Sequence, residues 1–201
     1  MQVMVDRAPP GPPAADDRVV AAALRCIARW GLAKTTVDDV AREAGVGRAT
    51  LYRLFPGGRD ALLEAVVRHE VERLGHRLGA AAATAVTLED VVVAWFAEAA
   101  ELVADHPALQ FLLAHEPESV LPQLAFGRLD ALLERAAALG GPLLERWIDQ
   151  PEDRARAVEW MARVLLSYTL APSPDVDVRD RESLRRFARA FIIPGLTRSS
   201  A

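Results

Sequence analysis

Four polar residues within one short segment have side chains suited to the grooves of a nucleic acid. Arg48, Thr50, Tyr52 and Arg53 follow one another closely, with Ala49 between the first two. An arginine binds phosphate or donates to a guanine edge, a threonine serves either purpose, and a tyrosine hydroxyl contacts phosphate. The pattern predicts that these five residues contact double-stranded DNA. The alternative is an ordinary helical hairpin with a solvated basic face.

Two short helices are predicted to position these side chains. From Val37 to Ala44 apolar residues recur at helical spacing, which predicts a helix with one buried stripe. Gly45 interrupts the stripe and predicts a sharp turn that needs a positive φ. A second helix is expected from Gly47 or Arg48. Its buried side is predicted to contain Leu51, Leu54 and Phe55. Two such helices around a glycine turn form a helix-turn-helix.

The segment from Thr36 to Phe55 resembles the DNA-binding part of the TetR family of bacterial transcriptional regulators, and the likeness extends over about the first third of the chain. The resemblance implies an all-α fold, with an N-terminal three-helix helix-turn-helix domain followed by a helical ligand-binding and dimerisation domain. It also implies phosphate contacts from Thr35 or Thr36, one of which caps the first motif helix. The family usually has a lysine one residue nearer to the Phe-Pro pair than Arg59, so Arg59 is expected to replace that lysine.

Composition narrows the class of protein further. The chain has 201 residues, of which 51% are hydrophobic and few are aromatic, which favours an all-helical protein. No apolar run is long enough to span a bilayer, so we expect no membrane association and a cytoplasmic location. The single cysteine, Cys26, lies on an apolar stripe and is expected to be a buried hydrophobe. No metal-ligand spacing, phosphate loop or catalytic motif occurs, and no cofactor, metal or catalytic residue is predicted.

Charge is distributed unevenly along the chain. Residues 16–79 contain 11 basic against 9 acidic residues, whereas residues 80–201 contain 12 against 18. This contrast fits a part that faces a nucleic acid, joined to an acidic part with another task.

Three regions are predicted. Residues 1–15 are rich in proline and are expected to form a disordered tail. Residues 16–62 would form the helix-turn-helix domain, beginning with a helix that ends at Gly31. Residues 63–201 would form the regulatory and dimerisation domain. A long helix from Arg59 to about Gly79 would join the two, followed by an alanine-rich hinge over residues 80–86.

The middle of the chain is predicted to hold a ligand pocket. Helices are expected over residues 88–105, 108–114 and 118–139, separated by prolines, with Thr87 and Asp90 forming a capping box. Six residues on these successive helices are candidate ligand contacts: Trp95, Phe96, Phe111, Leu112, His115 and Phe126. The His115–Glu116 pair is expected near the mouth of the pocket. The alternative is that the apolar members of this set simply fill a core.

Two final helices, over residues 154–170 and 182–193, are predicted to form a homodimer interface. The first is apolar nearly all round in its second half, so it needs cover on two sides. Two helices from each subunit would make a four-helix interface, as the family resemblance also implies. The candidate interface residues are Trp160, Val164, Leu166, Tyr168, Leu184, Phe187 and Phe191.

These features predict a ligand-responsive transcriptional regulator rather than an enzyme. We expect a repressor that binds a palindromic operator as a dimer and is released by a hydrophobic small molecule. One alternative is a constitutive helix-turn-helix DNA-binding protein without a ligand. Another is an enzyme that uses Cys26 or a histidine, which no motif supports.

Overall fold

A computed structural model describes residues 15–120 and 128–196 of the chain. The predicted tail falls outside these ranges except for Ala15, as does the candidate ligand contact Phe126. Eleven α-helices are present in the described ranges: α1 (Ala15–Trp30), α2 (Val37–Ala44), α3 (Arg48–Leu54), α4 (Arg59–Thr84), α5 (Leu88–Ala104), α6 (Pro107–His115), α7 (Pro117–Val120), α8 (Arg128–Gly140), α9 (Pro151–Leu170), α10 (Arg181–Phe187) and α11 (Ile193–Leu196).

Two further short segments are helical but not α-helical. A 3₁₀ turn, Gly141–Leu144, follows α8, and a π-helical turn, Ala188–Ile192, joins α10 to α11. The described ranges contain no β-strand, and an isolated bridge joins Ser173 to Val176. The predicted all-α fold is confirmed.

The first apolar core is formed by α1, α2, α3 and the beginning of α4. Leu51 of α3 is fully buried in it, and Cys26 of α1 is 2% exposed, as expected for a small hydrophobe. Burial raises the pKa of the Cys26 thiol, and the nearby Glu43 carboxylate adds to this effect. The remaining buried members of this N-terminal core are Val19, Val20, Ala22, Ala23, Val40, Ala41, Phe55, Leu62, Ala65 and Val66. The core fixes α2 and α3 against each other.

A second apolar core is formed by the end of α4 with α5, α9, α10 and the π-helical turn. Val91 and Leu144 are fully buried there. The indole N–H of Trp95 donates to the carbonyl of Leu78 at 3.0 Å, which ties α5 to α4. Because α4 contributes Leu62 to the N-terminal core and Ala82 to this C-terminal core, one helix connects both parts and crosses the predicted domain boundary at residue 62.

The predicted alanine-rich hinge is wrong. Residues 80–84 continue α4 to Thr84, and only Ala85 to Thr87 separate it from α5. Alanine has the highest helix propensity of all residues, and neither glycine nor proline occurs in this stretch. The connecting helix is therefore about one and a half turns longer than the sequence pattern indicated.

Other helix boundaries also differ from the predictions. α9 begins at Pro151 rather than Arg154, because proline at the first helical position leaves no hydrogen bond unmade. The last helical segment passes Pro194 and ends at Leu196. The helix expected over residues 118–139 is described only in part, since residues 121–127 lie outside the described ranges. Within those ranges, no helix is long and apolar enough to cross a bilayer.

Candidate functional site

The beginning of α2 is fixed by a reciprocal cap. The Thr36 hydroxyl accepts a hydrogen bond from the Asp39 backbone N–H at 3.2 Å, while the Asp39 carboxylate accepts from the Thr36 backbone N–H at 3.3 Å. The same carboxylate accepts from the Thr36 hydroxyl, and this bond, with a second from Arg42, lowers the pKa of Asp39. The arrangement is a capping box, which satisfies N–H groups that the first helical turn leaves free.

The turn between α2 and α3 depends on Gly45. Its φ is +66°, in the left-handed region, and no atom would lie within 4 Å of an added Cβ. Glycine is therefore required by conformation and not by lack of space. Its N–H donates to the Arg42 carbonyl at 3.2 Å and the Val46 N–H donates to the Ala41 carbonyl at 3.0 Å, which ends α2.

The next helix, α3, presents most of the predicted DNA contacts on one face. Arg48, Ala49, Tyr52 and Arg53 are exposed and Thr50 is partly exposed. The buried Leu51 lies on the opposite side. The positions of the exposed residues, one and four apart, place them on one side of the helix. The structure therefore brings the predicted residues of α3 together on an accessible surface.

Arg48 is not free on this surface. Its guanidinium donates to the Asp38 carboxylate of α2 at 2.8 Å, and its Cζ lies 5.6 Å from the centroid of the Tyr52 ring. The Tyr52 ring also covers the α3–α4 turn, since its Cε1 would lie 3.3 Å from a Cβ added to Gly58. The sequence pattern did not single out Asp38, because its pairing with Arg48 depends on how α2 and α3 cross.

The other predicted DNA contacts have different surroundings. Thr36 is exposed, whereas Thr35 is buried and its hydroxyl donates to the Gly31 carbonyl at 2.6 Å. Arg59, at the first position of α4, is exposed and donates to the Leu32 carbonyl at 2.7 Å. Thr35 and Arg59 thus both fix the loop after α1.

An apolar cavity of about 90 Å³ lies between α4, α5, α8 and α9. Its lining includes Leu74, Trp95, Phe96, Ala99, Val158 and Met161. Every lining residue is apolar, and the one polar atom that the Trp95 ring carries is already bonded to Leu78. The cavity thus offers no free hydrogen-bonding side chain to a ligand.

Two of the six predicted ligand contacts, Trp95 and Phe96, line this cavity. The other described candidates, Phe111, Leu112 and His115, lie on α6 and do not line it. The Phe111 and His115 rings stack on each other with centroids 4.5 Å apart. The third predicted helix, residues 118–139, overlaps the α8 wall, but sequence reasoning missed the walls from α4 and α9, because pairing between distant helices leaves no local signal.

Glu116, directly after α6, contacts the loop that follows α1. Its carboxylate accepts hydrogen bonds from the backbone N–H groups of Leu32 at 2.9 Å and Ala33 at 3.1 Å. A Cβ at Gly31, where φ is +83°, would lie 1.9 Å from the Glu116 carboxylate and 2.9 Å from the Phe111 ring. The pair expected at a pocket mouth therefore lies where α6 meets the loop that precedes the helix-turn-helix. We call this contact the Glu116 link.

A second polar contact joins α4 to α6. His106 caps α6 by accepting the Leu109 N–H on Nδ1 at 3.0 Å, and its Nε2 lies 3.3 Å from the Glu70 carboxylate. Arg73 lies 2.9 Å from the same carboxylate. Burial acts to raise the pKa of Glu70, but His106 and Arg73 outweigh burial, and that pKa is lowered. The contact keeps α6 in register with α4.

The candidate dimer residues divide into two groups. Phe191 is 68% exposed and Trp160 is 38% exposed, whereas Leu184 is buried in the core of its own protomer. Tyr168, Phe187 and Phe191 form a row in which adjacent ring centroids lie 5.1 and 5.6 Å apart. The two other candidates, Val164 and Leu166, are partly exposed. Among the residues that the structure describes, no group of three His, Cys, Asp or Glu side chains is arranged to hold a metal ion.

Comparison with known proteins agrees with this architecture. Residues 19–66 match the family described as bacterial regulatory proteins, tetR family. An HTH-type transcriptional regulator of Mycobacterium tuberculosis is 30% identical over 187 residues, which cover 93% of this chain and 88% of the relative. The chain belongs to the TetR family of bacterial transcriptional regulators. It is therefore a DNA-binding regulator and not an enzyme.

Solved structures show the same fold. The TetR family repressor AlkX from Dietzia sp. superposes with a TM-score of 0.70 at 22% identity, covering 93% of this chain and 97% of AlkX. The fatty acid degradation regulator FadR from Bacillus halodurans gives a TM-score of 0.59 at 16% identity, covering 89% of this chain and 96% of FadR. At these identities the likeness establishes the fold alone.

Proposed function

We propose that the chain is a dimeric, ligand-responsive repressor that binds a palindromic operator and is released by a hydrophobic small molecule. The observation that carries the effector part is the apolar cavity, because one of its walls is α4, the helix that also enters the N-terminal core. A protein that represses transcription by binding chromosomal DNA acts in the bacterial cytoplasm, and the proposal includes that location.

DNA binding is assigned to the exposed face of α3. Arg48, Ala49, Thr50, Tyr52 and Arg53 enter the major groove, while Thr36 and Arg59 contact phosphates beside it. Thr35 acts by holding the loop through its bond to Gly31 and reaches phosphate only if that bond opens. Two recognition helices related by two-fold symmetry must stand about 34–36 Å apart to enter successive major grooves.

Dimerisation is assigned to the aromatic row on α9, α10 and the π-helical turn. Exposed Phe191 and Trp160 lose contact with water only if a second surface covers them. A second copy of the same helices provides that surface around a two-fold axis. Leu184 supports the row from inside the protomer and has no surface to offer a partner.

The effector class follows from the cavity lining. A ligand held there gains from burial of its apolar surface, at about 25 cal/mol for each Å², and finds no partner for a buried polar group. An alkyl or other hydrocarbon group satisfies both conditions. AlkX is implicated in the biodegradation of n-alkanes, and FadR is a fatty acid degradation regulator. We therefore propose a long-chain hydrocarbon or acyl compound as the effector.

Cavity size supports a mechanism for release. The cavity of about 90 Å³ is smaller than an engineered cavity of ~150 Å³ that holds benzene. A larger effector must push the walls apart, and Leu74, Gly75 and Leu78 of the α4 wall move with it. Because α4 also contributes to the N-terminal core and α6 reaches the α1–α2 loop through the Glu116 link, the displacement changes the placement of α3. Moving the DNA-binding population from 99:1 to 1:99 takes a roughly 10⁴-fold preference of the effector for the released state.

The test combines DNA release with a cavity-filling variant. An operator duplex is recovered by selection from a random pool with the wild-type protein, and fatty acids, acyl thioesters, alkanes, steroids and aromatic drugs are titrated against the complex. Ala99→Leu places three more carbon atoms in the cavity and should abolish or mimic the response. Ala100→Leu, on the same helix but facing the cleft beside α6, is the matched control and should respond as wild type.

The outcomes separate the proposed function from its main alternative. Release by a long-chain compound that Ala99→Leu blocks and Ala100→Leu retains supports the proposal. If no compound releases DNA while operator binding is tight, the chain is a constitutive DNA-binding protein.

A further inference from the structure

The carboxylate of Asp38 lies on the surface to which DNA binding is assigned. It lies on α2 and accepts a hydrogen bond from Arg48, the first residue of α3, at 2.8 Å. Both side chains are accessible, with 65% of the arginine and 48% of the aspartate side chain exposed. A negative charge in the first turn of α2 stabilises that helix, but beside the leading cation of the recognition helix it also opposes binding to the DNA backbone.

The contact is local and can be rearranged. Exposed ion pairs are worth ~0–1 kcal/mol, so Asp38 adds little to the stability of the fold. The Arg48 Cζ also lies 5.6 Å from the centroid of the Tyr52 ring. The guanidinium thus contacts both a carboxylate and an aromatic ring before any DNA arrives, and these contacts bias its direction without fixing it.

Arg48 could bind either a DNA phosphate or a guanine edge, and the Asp38 carboxylate affects these two interactions differently. A phosphate is charged, and it gains less from a guanidinium whose charge a neighbouring carboxylate already offsets. A guanine edge offers the neutral acceptors O6 and N7, whose hydrogen bonds are less sensitive to that offset. Arginine has five N–H donors, so one bond to Asp38 leaves others for the base.

We propose that Asp38 is a specificity-determining residue that directs Arg48 away from phosphate and toward a base edge. It lowers the affinity for DNA of arbitrary sequence more than the affinity for the operator, and so widens the ratio between them. The inference rests on the proposed assignment of Arg48 to the DNA interface. It assigns to Asp38 a role that its place in the first turn of α2 does not require.

The test measures affinity against salt concentration on two duplexes. One is the duplex selected from a random pool, and the other is a scrambled duplex of the same base composition. Asp38→Asn keeps the shape and removes the charge. Glu43→Gln is the matched control, because it removes one charge from the same helix at a residue that pairs with Arg25 and not with Arg48. Thermal melting of every variant checks that the fold is kept.

Asp38→Asn should bind the scrambled duplex more tightly and prefer the selected duplex less. One additional phosphate contact makes the slope of log binding constant against log salt concentration more negative by ~0.9. The ratio of the variant's binding constant to that of the wild type on the scrambled duplex should therefore fall about threefold between about 50 and about 200 mM salt. In a protein that also carries Arg48→Ala, the Asp38→Asn effect should vanish, because the two residues act as one unit.

Three results would overturn the inference: an unchanged ratio between the two duplexes in Asp38→Asn, an equal change in Glu43→Gln, or a full Asp38→Asn effect without Arg48. Arg48→Ala alone tests the underlying assignment. If it leaves the affinity for both duplexes unchanged, Arg48 is not at the DNA interface. If it weakens operator binding while Asp38→Asn changes nothing, the DNA assignment stands and the role of Asp38 is wrong.

Discussion

The two apolar cores of this regulator differ in how completely they are filled. In the N-terminal core, the apolar void beside Ala23 and Ile27 measures about 10 Å³, which is about the space of one water molecule, and the larger cleft of about 390 Å³ beside Val20 and Phe55 is also lined by charged side chains. In the C-terminal core, the cavity beside Trp95 and Met161 measures about 90 Å³. Close packing of α1 against α2 holds the helix-turn-helix in one geometry, which reading DNA requires, whereas an unfilled apolar space allows the surrounding side chains to repack.

The largest expected difference between the two cores is in how much free energy of unfolding is lost when a buried side chain is removed. Leu51→Ala should lower the free energy of unfolding by about 2–5 kcal/mol and abolish DNA binding, because the fully buried side chain loses contacts on all sides. Met161→Ala should cost less, since Met161 faces the existing cavity and has fewer contacts to lose. Denaturant unfolding measures both. Equal losses would contradict the contrast in packing.

A second prediction concerns the surface of the C-terminal part. Phe191→Asp should convert dimers to monomers at micromolar concentration and weaken operator binding, because truncating a central aromatic residue typically costs ~2 kcal/mol or more at an interface. Sedimentation velocity measures the assembly. Val67→Asp is the control, because Val67 is 50% exposed on α4 and its neighbour Val66 belongs to the N-terminal core rather than to the part that carries the aromatic row. A dimeric Phe191→Asp protein would place the interface elsewhere.

A third prediction tests how the two parts communicate. Glu116→Ala removes both hydrogen bonds to the α1–α2 loop and should reduce the coupling between effector and operator, which is typically 1–3 kcal/mol in allosteric proteins. Effector affinity without DNA should stay near that of the wild type, since Glu116 does not line the cavity. Titration of the effector with and without operator measures the coupling. An unchanged difference between the two titrations would exclude the Glu116 link as a route.

The smallest effects are expected from two caps with the same local geometry. Thr36→Ala and Thr87→Ala should each cost about 0.5–2 kcal/mol of stability, because each hydroxyl accepts an N–H at the start of a helix. Only Thr36→Ala should also weaken DNA binding. The two Thr→Ser variants keep the hydroxyl and serve as controls in melting and DNA-binding experiments. Equal DNA affinity of both alanine variants would remove Thr36 from the interface.

The two caps also predict the response to acid. Hydrogen bonds from Thr36 and Thr87 lower the pKa values of Asp39 and Asp90 in the folded protein. Each carboxylate therefore contributes stability above its unfolded pKa and loses it as the pH falls through the lower folded pKa. Thermal melting below about pH 4 should show a smaller loss in the two alanine variants than in the wild type, because the variants lack the bond that titrates.

The helix-turn-helix was predictable from the sequence because the residues that indicate it lie within a few positions of one another. The interruption at Gly45 predicted the turn, and the Thr87–Asp90 spacing predicted the cap on α5, as observed. The full length of α4 was not predicted. A hinge was predicted over residues 80–86, although alanine favours helix. Local interactions decide where helices turn, begin and end, and the error at the end of α4 came from giving the helix propensity of alanine too little weight.

By itself, the sequence determined the helical class, the position of the helix-turn-helix and the family, because the hydrophobic period, the glycine turn and the residue types of α3 are all local. The tertiary structure decided which residues meet across long separations. Asp38 meets Arg48 because α2 crosses α3, and Glu116 reaches Leu32 across 84 residues. The cavity likewise exists because four helices from distant parts of the chain line it without filling it. Such contacts depend on how whole helices pack, which no short stretch of sequence encodes.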